Sequence, residues 1–155
     1  MRLLFLSLLA LAFNLSSFAQ DIPFQELDSV KRTEYLINLA REVVQNFGPD
    51  YYKPSHIVEV SDTTTVFDTT FDHPVIKKSL GRRYYVISFF CDKVKKEKGL
   101  YSAQVGIWVD NGEPYCVDFY ERIGIHFLFR PYRQWIKEGV KETEKYYTDP
   151  SDCGC

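Results

Sequence analysis

The first nineteen residues have the pattern of an export signal, and this pattern constrains the rest of the chain. Arg2 supplies a positive charge, Leu3–Phe13 is an apolar run broken by one serine, and small residues end the segment at Ala19. The apolar run is too short to span a bilayer. We therefore expect cleavage near Ala19, a periplasmic or secreted location, and no stable membrane insertion after cleavage.

The 136 residues that follow (155 − 19) suit a single domain, 20–155, with one core. Twelve Phe, eleven Tyr and two Trp supply enough large side chains to fill that core. Without the leader, 18 basic residues stand against 21 acidic ones, because Arg2 is its only charge. This balance argues against nucleic acid as a partner. The basic run Lys93–Lys98 is interpreted as a solvated hairpin loop, with contact to an anionic surface as the alternative.

The best helix signal covers residues 29–47. Asp28 is a good N-cap, and Gly48 stands where a left-handed C-cap belongs, with Pro49 preventing continuation. Apolar residues recur there at helical spacing: Leu36, Ala40, Val43 and Phe47. Such a stripe needs a partner surface, and a sheet is the expected one.

Alternating and β-branched runs predict an antiparallel meander after this helix. The strand candidates are 56–60, 83–92, 100–109, 114–122 and 123–129, and 61–72 is expected to be an irregular hairpin or an exposed edge. A second helical stripe predicts a helix over 131–147. The fold class is therefore α+β, with an N-terminal helix packed on an antiparallel β-meander and a C-terminal helix after it.

The hairpin at Asp110-Asn111-Gly112 determines which side chains share a face. A three-residue loop with left-handed Gly112 keeps the apolar face intact, whereas a two-residue loop mixes the faces. The predicted pairs are Ile107 with Tyr115, Val105 with Val117, Ala103 with Phe119 and, on the other face, Gly106 with Cys116.

The second face of this hairpin mixes aromatic and polar residues. Trp108, Asp118, Tyr120 and Gln104 are its candidate binding residues. Aromatic platforms beside polar groups suit a sugar or peptide ligand. The competing interpretation, which we favour, is that the C-terminal helix covers this face as a second core layer through Trp135 and Ile136.

Four cysteines, Cys91, Cys116, Cys153 and Cys155, are candidates for disulfides and allow three complete pairings. A bond within Cys153-Gly-Cys155 would be strained and easily reduced. A bond from Cys116 to one of the tail cysteines would fasten the tail to the domain. The sequence leaves this fastening, a labile redox pair, free thiols and metal binding open.

The sequence contains no motif of a known catalytic or phosphate-binding type. His56, His73 and His126 are scattered without metal-ligand spacing, so neither metal nor cofactor is expected. No residue is assigned a catalytic role. If one histidine acts, His126 is the best candidate, because it faces away from its apolar neighbours.

Three segments resemble the small exported domains of PepSY type and, more loosely, the cystatin-like arrangement of a helix gripped by a curved sheet. They are the helix around Ala40–Val44, the strand Arg83–Ile87 and the hairpin Trp108–Pro114. The resemblance implies a binding or inhibitory role outside the cell. It transfers no functional residue, because the shared motif is structural.

We therefore expect a non-enzymatic exported domain that binds a protein or peptide partner, in an oligomeric state that the sequence does not define. An exposed strand within 56–72 could add a partner strand by edge pairing. One alternative is a thiol-dependent or hydrolytic enzyme that uses the C-terminal cysteine pair or His126. The other is a binder of a small apolar ligand in an interior pocket.

Overall fold

A computed structural model of the chain describes residues 23–66, 73–120 and 124–147. The predicted leader and the tail cysteines lie outside these ranges. Within these ranges, five strands form one antiparallel sheet in chain order: β1 (Ile57–Thr65), β2 (Arg83–Phe90), β3 (Ala103–Trp108), β4 (Pro114–Phe119) and β5 (Ile125–His126). The helices are α1 (Ser29–Phe47), α2 (Pro74–Lys77), α3 (Lys93–Glu97) and α4 (Tyr132–Glu138), with 3-10 turns at Phe24–Glu26, Pro49–Tyr51 and Glu142–Glu144. The predicted α+β meander is confirmed.

Helix α1 has the predicted bounds and packs on one face of the sheet. The Asp28 carboxylate accepts the Lys31 N–H at 2.9 Å, which satisfies one of the free donors of the first turn. The stripe that α1 buries meets the inward-facing residues of the central strands. These core residues are Leu36, Ala40, Val43, Val44, Phe47, Ile87, Phe89, Val105, Ile107, Val117 and Phe119.

The expected left-handed cap at Gly48 is wrong. Its φ is −149°, in the extended range that any residue adopts. Glycine is needed there for space, because a Cβ would lie 2.4 Å from Cε1 of Phe119. The aromatic ring of β4 therefore lies against the backbone at the end of α1 and sets how closely helix and sheet approach.

The β3–β4 hairpin keeps the predicted left-handed glycine, but the predicted three-residue loop is wrong: the Trp108 N–H donates to the Glu113 carbonyl at 2.9 Å, so the loop has four residues, 109–112. Gly112 is left-handed with φ of +70°, and the Val105–Val117, Ala103–Phe119 and Gly106–Cys116 pairs form. The Ile107–Tyr115 pair is wrong, because Ile107 lies opposite Pro114. Tyr115 has no partner on β3, and this bulge turns its ring to the face of Trp108 rather than to the α1 core.

The C-terminal region is more broken than the pattern predicts. β5 contains only two residues, and α4 ends at Glu138 because Gly139 has φ of +78°. The chain then returns along α1, where the Tyr146 N–H donates to the Phe47 carbonyl at 2.6 Å. The predicted strand 123–129 and helix 131–147 are thus both too long.

The basic run also differs from its prediction. Residues Lys93–Glu97 form the short helix α3 instead of a hairpin loop, because Asp92 caps it by accepting the Lys95 N–H at 2.8 Å. None of the described helices combines the length and apolar character that a membrane span requires.

Candidate functional site

The face of the sheet opposite α1 holds three of the four predicted binding residues. Gln104 and Asp118 are direct partners on adjacent strands, and Trp108 follows on the same side of β3. Tyr120 lies just beyond β4 and packs against the α1 core instead. The structure therefore separates Tyr120 from the other three.

Helix α4 does not cover this face. Trp135 packs against Phe47 of α1, with ring centroids 5.3 Å apart and an edge-on geometry. Arg130 lies over the other side of the indole, 3.8 Å from its centroid. The contact with Phe47 places α4 on the α1 side, so the expected second core layer under Trp135 and Ile136 is wrong.

Trp108 is enclosed by its own neighbours rather than open to a ligand. Its side chain is only 5% exposed. The Arg82 guanidinium lies 3.9 Å from the indole centroid, and the Tyr115 ring centroid is 4.3 Å away. Tyr84 contacts it edge-on at 6.1 Å. Trp108 therefore serves as the centre of a small second core and not as a stacking platform.

A buried thiol and a carboxyl group lie beside this second core. Cys116 Sγ is 3.8 Å from Asp118 Oδ2, and burial together with the Asp118 charge raises the pKa of the Cys116 thiol strongly. Burial also raises the pKa of the Asp118 carboxyl, against the opposing charge of His126. His126 is exposed and lies opposite Cys116 on β5. Since a nucleophilic cysteine needs the thiolate, this arrangement does not favour thiol chemistry at neutral pH.

The other two histidines serve local structure. His73 Nδ1 accepts the Val75 N–H at 3.2 Å and so caps α2. His56 Nδ1 accepts the Lys53 N–H at 3.4 Å, and burial lowers the pKa of His56. A search of the described ranges finds no group of three or more His, Cys, Asp or Glu side chains that could hold a metal.

The described cysteines differ in state. Cys91 is disulfide-bonded, whereas Cys116 is a free, buried thiol. Of the alternatives that the sequence left open, a bond from Cys116 to the tail is therefore excluded, because Cys116 is a free thiol enclosed beside Tyr115. Cys153 and Cys155 lie outside the described residues.

A cleft of about 360 Å³ lies between α1 and α4. Charged and phenolic side chains form most of its wall, which consists of Tyr35, Leu39, Glu42, Glu113, Tyr132, Arg133, Ile136 and Lys137. The Tyr132 hydroxyl donates to Glu42 at 2.8 Å, and Arg133 pairs with Glu113 at 2.6 Å.

The backbone hydrogen-bond pattern shows which N–H and C=O groups of β1, at the edge of the sheet, have no partner strand in the described part of the chain. In an antiparallel sheet, each residue directs its N–H and C=O to one neighbour, and successive residues alternate. The Val109 N–H donates to the Arg83 carbonyl, so Arg83 and every second residue after it bond to β3. Ser88 belongs to the alternate set and bonds to its partner on β1, Glu59.

It follows that Val58 and Val60, on either side of Glu59, direct their N–H and C=O away from β2. Among the strands that the structure describes, β2 is the only neighbour of β1. The side chains of Val58 and Val60 are partly buried against the α1 core, which fixes the orientation of these backbone groups. The predicted exposed edge is thus confirmed for β1, Ile57–Thr65, whereas Val66, which follows it, is buried.

The basic helix α3 lies beside this edge. Lys96 Nζ is 2.8 Å from Glu59 Oε2, which ties α3 to β1 on the face opposite α1. The sequence identified the basic run and the edge strand separately. It gave no signal for their proximity, because that contact depends on the chain turning back after β2.

Comparison with family models, with curated proteins and with solved structures gave no match. By its described fold, the protein is an α+β meander domain in which the outer edge of β1 is free. The PepSY-type or cystatin-like resemblance stays a prediction.

Proposed function

We propose that this protein is a non-enzymatic binding domain that captures an extended segment of a protein or peptide partner by strand addition to β1. The observation that supports it best is the free edge at Val58 and Val60. Strand addition gains affinity from main-chain hydrogen bonds, and an edge nine residues long offers several of them.

The rest of the strand is consistent with this role. Natural edge strands are protected by short length, proline, charged side chains or bulges. β1 has no proline, its register shifts only between Ser61 and Thr64, and its Glu59 is neutralised by Lys96. Its first half, Ile57–Ser61, therefore keeps a regular register that a partner strand can extend.

The proposed place of action is outside the cytoplasm, in the periplasm or as a secreted protein. Two observations support this: the leader-like pattern of residues 1–19 and the disulfide at Cys91. Structural disulfides persist in oxidising compartments and are rare in the cytosol.

Amide hydrogen exchange tests the binding mode directly. Short peptides selected from a random display library on the folded domain would be added to labelled protein. We expect the Val58 and Val60 amides to exchange fast in the free domain and slowly in the complex, while the Glu59 amide is protected in both. Selected peptides that leave Val58 and Val60 unprotected would contradict strand addition.

A matched pair of variants separates the backbone bond from the side chain. Val60→Pro removes the outward N–H at a position where an edge strand tolerates proline. Val60→Ala loses similar packing but keeps the N–H. We expect weaker peptide binding by Val60→Pro than by Val60→Ala, and equal affinities would overturn the proposal.

A further inference from the structure

Cations lie beside the free edge at the end where β1 begins. Segment 93–98 contains four lysines against one glutamate, and Lys96 is used by the ion pair with Glu59. Lys93, Lys95 and Lys98 make no ion pair with any residue of the described ranges. The flexible lysine stems reach several ångströms from α3, so this end of the edge has a surplus of positive charge.

A further cation lies at the opposite end of the strand. Arg83 is the partner of Thr65, and its Nε donates to the Thr63 hydroxyl at 2.9 Å. A guanidinium has five N–H donors in a fixed fork, and one hydroxyl does not use them all. The side chain is exposed, and Arg83 forms no ion pair within the described part of the chain.

We propose that the segment added to β1 is acidic, with glutamate or aspartate side chains that meet the α3 lysines at one end and Arg83 at the other. This inference rests on the proposed function, because it names the chemistry of the strand that the free edge receives. It also gives the basic run a role.

Affinity and selectivity have different physical sources at this edge. Main-chain hydrogen bonds to Val58 and Val60 form with nearly any extended sequence, so they do not select among partners. Charge complementarity supplies that selection, since a like-charged strand would approach unpaired lysines at a cost. The lysines are exposed, so the selectivity must weaken with added salt.

Two blocked peptides of equal length test this at the α3 end, where the unpaired lysines lie on one face of the sheet: one alternates valine with glutamate and one alternates valine with lysine. Affinities would be measured on the mature protein by nuclear magnetic resonance titration at low and high ionic strength. At low salt we expect the glutamate peptide to bind about tenfold more tightly or better, and the ratio to fall towards one at high salt.

Charge-reversal variants test whether the α3 lysines cause the preference for the glutamate peptide. The Lys95→Glu, Lys98→Glu double variant should lose the preference for the glutamate peptide. The control, Lys31→Glu with Lys137→Glu, makes the same change in net charge on α1 and α4, and it should keep the preference. Loss of preference in both double variants would mean a response to net charge only and would overturn the inference.

The Val60→Pro variant distinguishes failure of this inference from failure of the proposed function. If both peptides bind wild-type protein equally and Val60→Pro weakens both, strand addition stands and the acidic preference is wrong. If the glutamate peptide binds preferentially but Val60→Pro has no effect, the lysines bind anions without strand addition and both proposals fail. Absence of binding by either peptide overturns both.

Discussion

The guanidinium of Arg82 lies over the indole of Trp108, 3.9 Å from the ring centroid. Two of its nitrogens also donate to Asp110, Nε to Oδ2 at 3.0 Å and Nη2 to Oδ1 at 2.7 Å. One side chain thus joins the start of β2 to the β3–β4 turn and covers the second core. The cation–π contact, the bidentate ion pair with Asp110 and the cover that the side chain gives to the indole all stabilise the fold at Arg82.

Replacing Arg82 should therefore cost more than removal of an ordinary surface cation. We expect Arg82→Ala to lower the free energy of unfolding by about 1–2 kcal/mol, because the indole loses its cover as well as a cation–π contact. Urea denaturation followed by Trp fluorescence measures this. The neighbouring Arg83→Ala is the control and should change stability by less than about 0.5 kcal/mol. Equal effects at both positions would show that Arg82 has no special role.

Gly48 offers a test of close packing between helix and sheet. Gly48→Ala places a Cβ 2.4 Å from the Phe119 ring, so the ring must shift, and we expect a loss of about 1–3 kcal/mol. Phe119→Leu alone should also destabilise, since it leaves a cavity. In the double variant the two losses should be less than additive, because the smaller side chain makes room for the new methyl. If the two losses simply add, the destabilisation by Gly48→Ala does not arise from its contact with the Phe119 ring.

These residues show where sequence reasoning succeeded and where it stopped. Helix α1 and most of the β3–β4 register were predictable, because they follow from local periodicity, a capping residue and a parity argument on one turn. The bulge at Tyr115 was not predictable, since Tyr115 suits either face and only the closed second core around Trp108 decides between them. The length of α4 was overestimated because its apolar stripe continues past Gly139, where the backbone turns.

The candidate site was likewise only partly predictable from the sequence. The exposed edge within 56–72 was deduced from threonine and aspartate in an otherwise β-favouring run, and strand β1, Ile57–Thr65, bears that out. Trp108 was chosen because large aromatics among polar groups suit ligands, but sequence contains no measure of burial. The proximity of α3 to β1 depends on a contact between Lys96 and Glu59, which are far apart in the chain.

Asp118 should make stability depend on pH in a specific direction. Burial raises the pKa of its carboxyl in the folded state, so the folded protein binds the proton more tightly than the unfolded chain does. Its contribution is therefore fully present below the ordinary pKa of 3.8 and is lost as pH rises through the higher folded value. Asp118→Asn, which cannot ionise, should gain stability relative to wild type as pH rises through that window.

Urea denaturation of both proteins between acidic and neutral pH measures this difference. Glu138→Gln is a useful control, because hydrogen bonds from Gln134 and Arg130 lower the pKa of Glu138, which gives the opposite sign. A difference between wild type and Asp118→Asn that does not change with pH would contradict the assignment.

The two described cysteines should respond differently to alkylation. Cys116 is a free thiol held neutral by burial and by the nearby Asp118 charge, so we expect iodoacetamide to leave it unmodified in the native protein and to modify it after unfolding. Cys91 should be protected until a reductant is added, because it is disulfide-bonded. Since Cys116 is free, we predict that Cys91 is joined to Cys153 or Cys155.

Peptide mapping of the unreduced protein tests this prediction. We expect one linked fragment that contains Cys91 and the C-terminal peptide, and one tail cysteine that is modified without reduction. The Cys91→Ser variant should free both tail cysteines. It should also lower stability by about 2–4 kcal/mol, because a bond that closes a loop of nearly half of the domain restricts the unfolded chain. A fragment that links Cys116 to the tail would instead restore the pairing that the sequence suggested and require the second core to open.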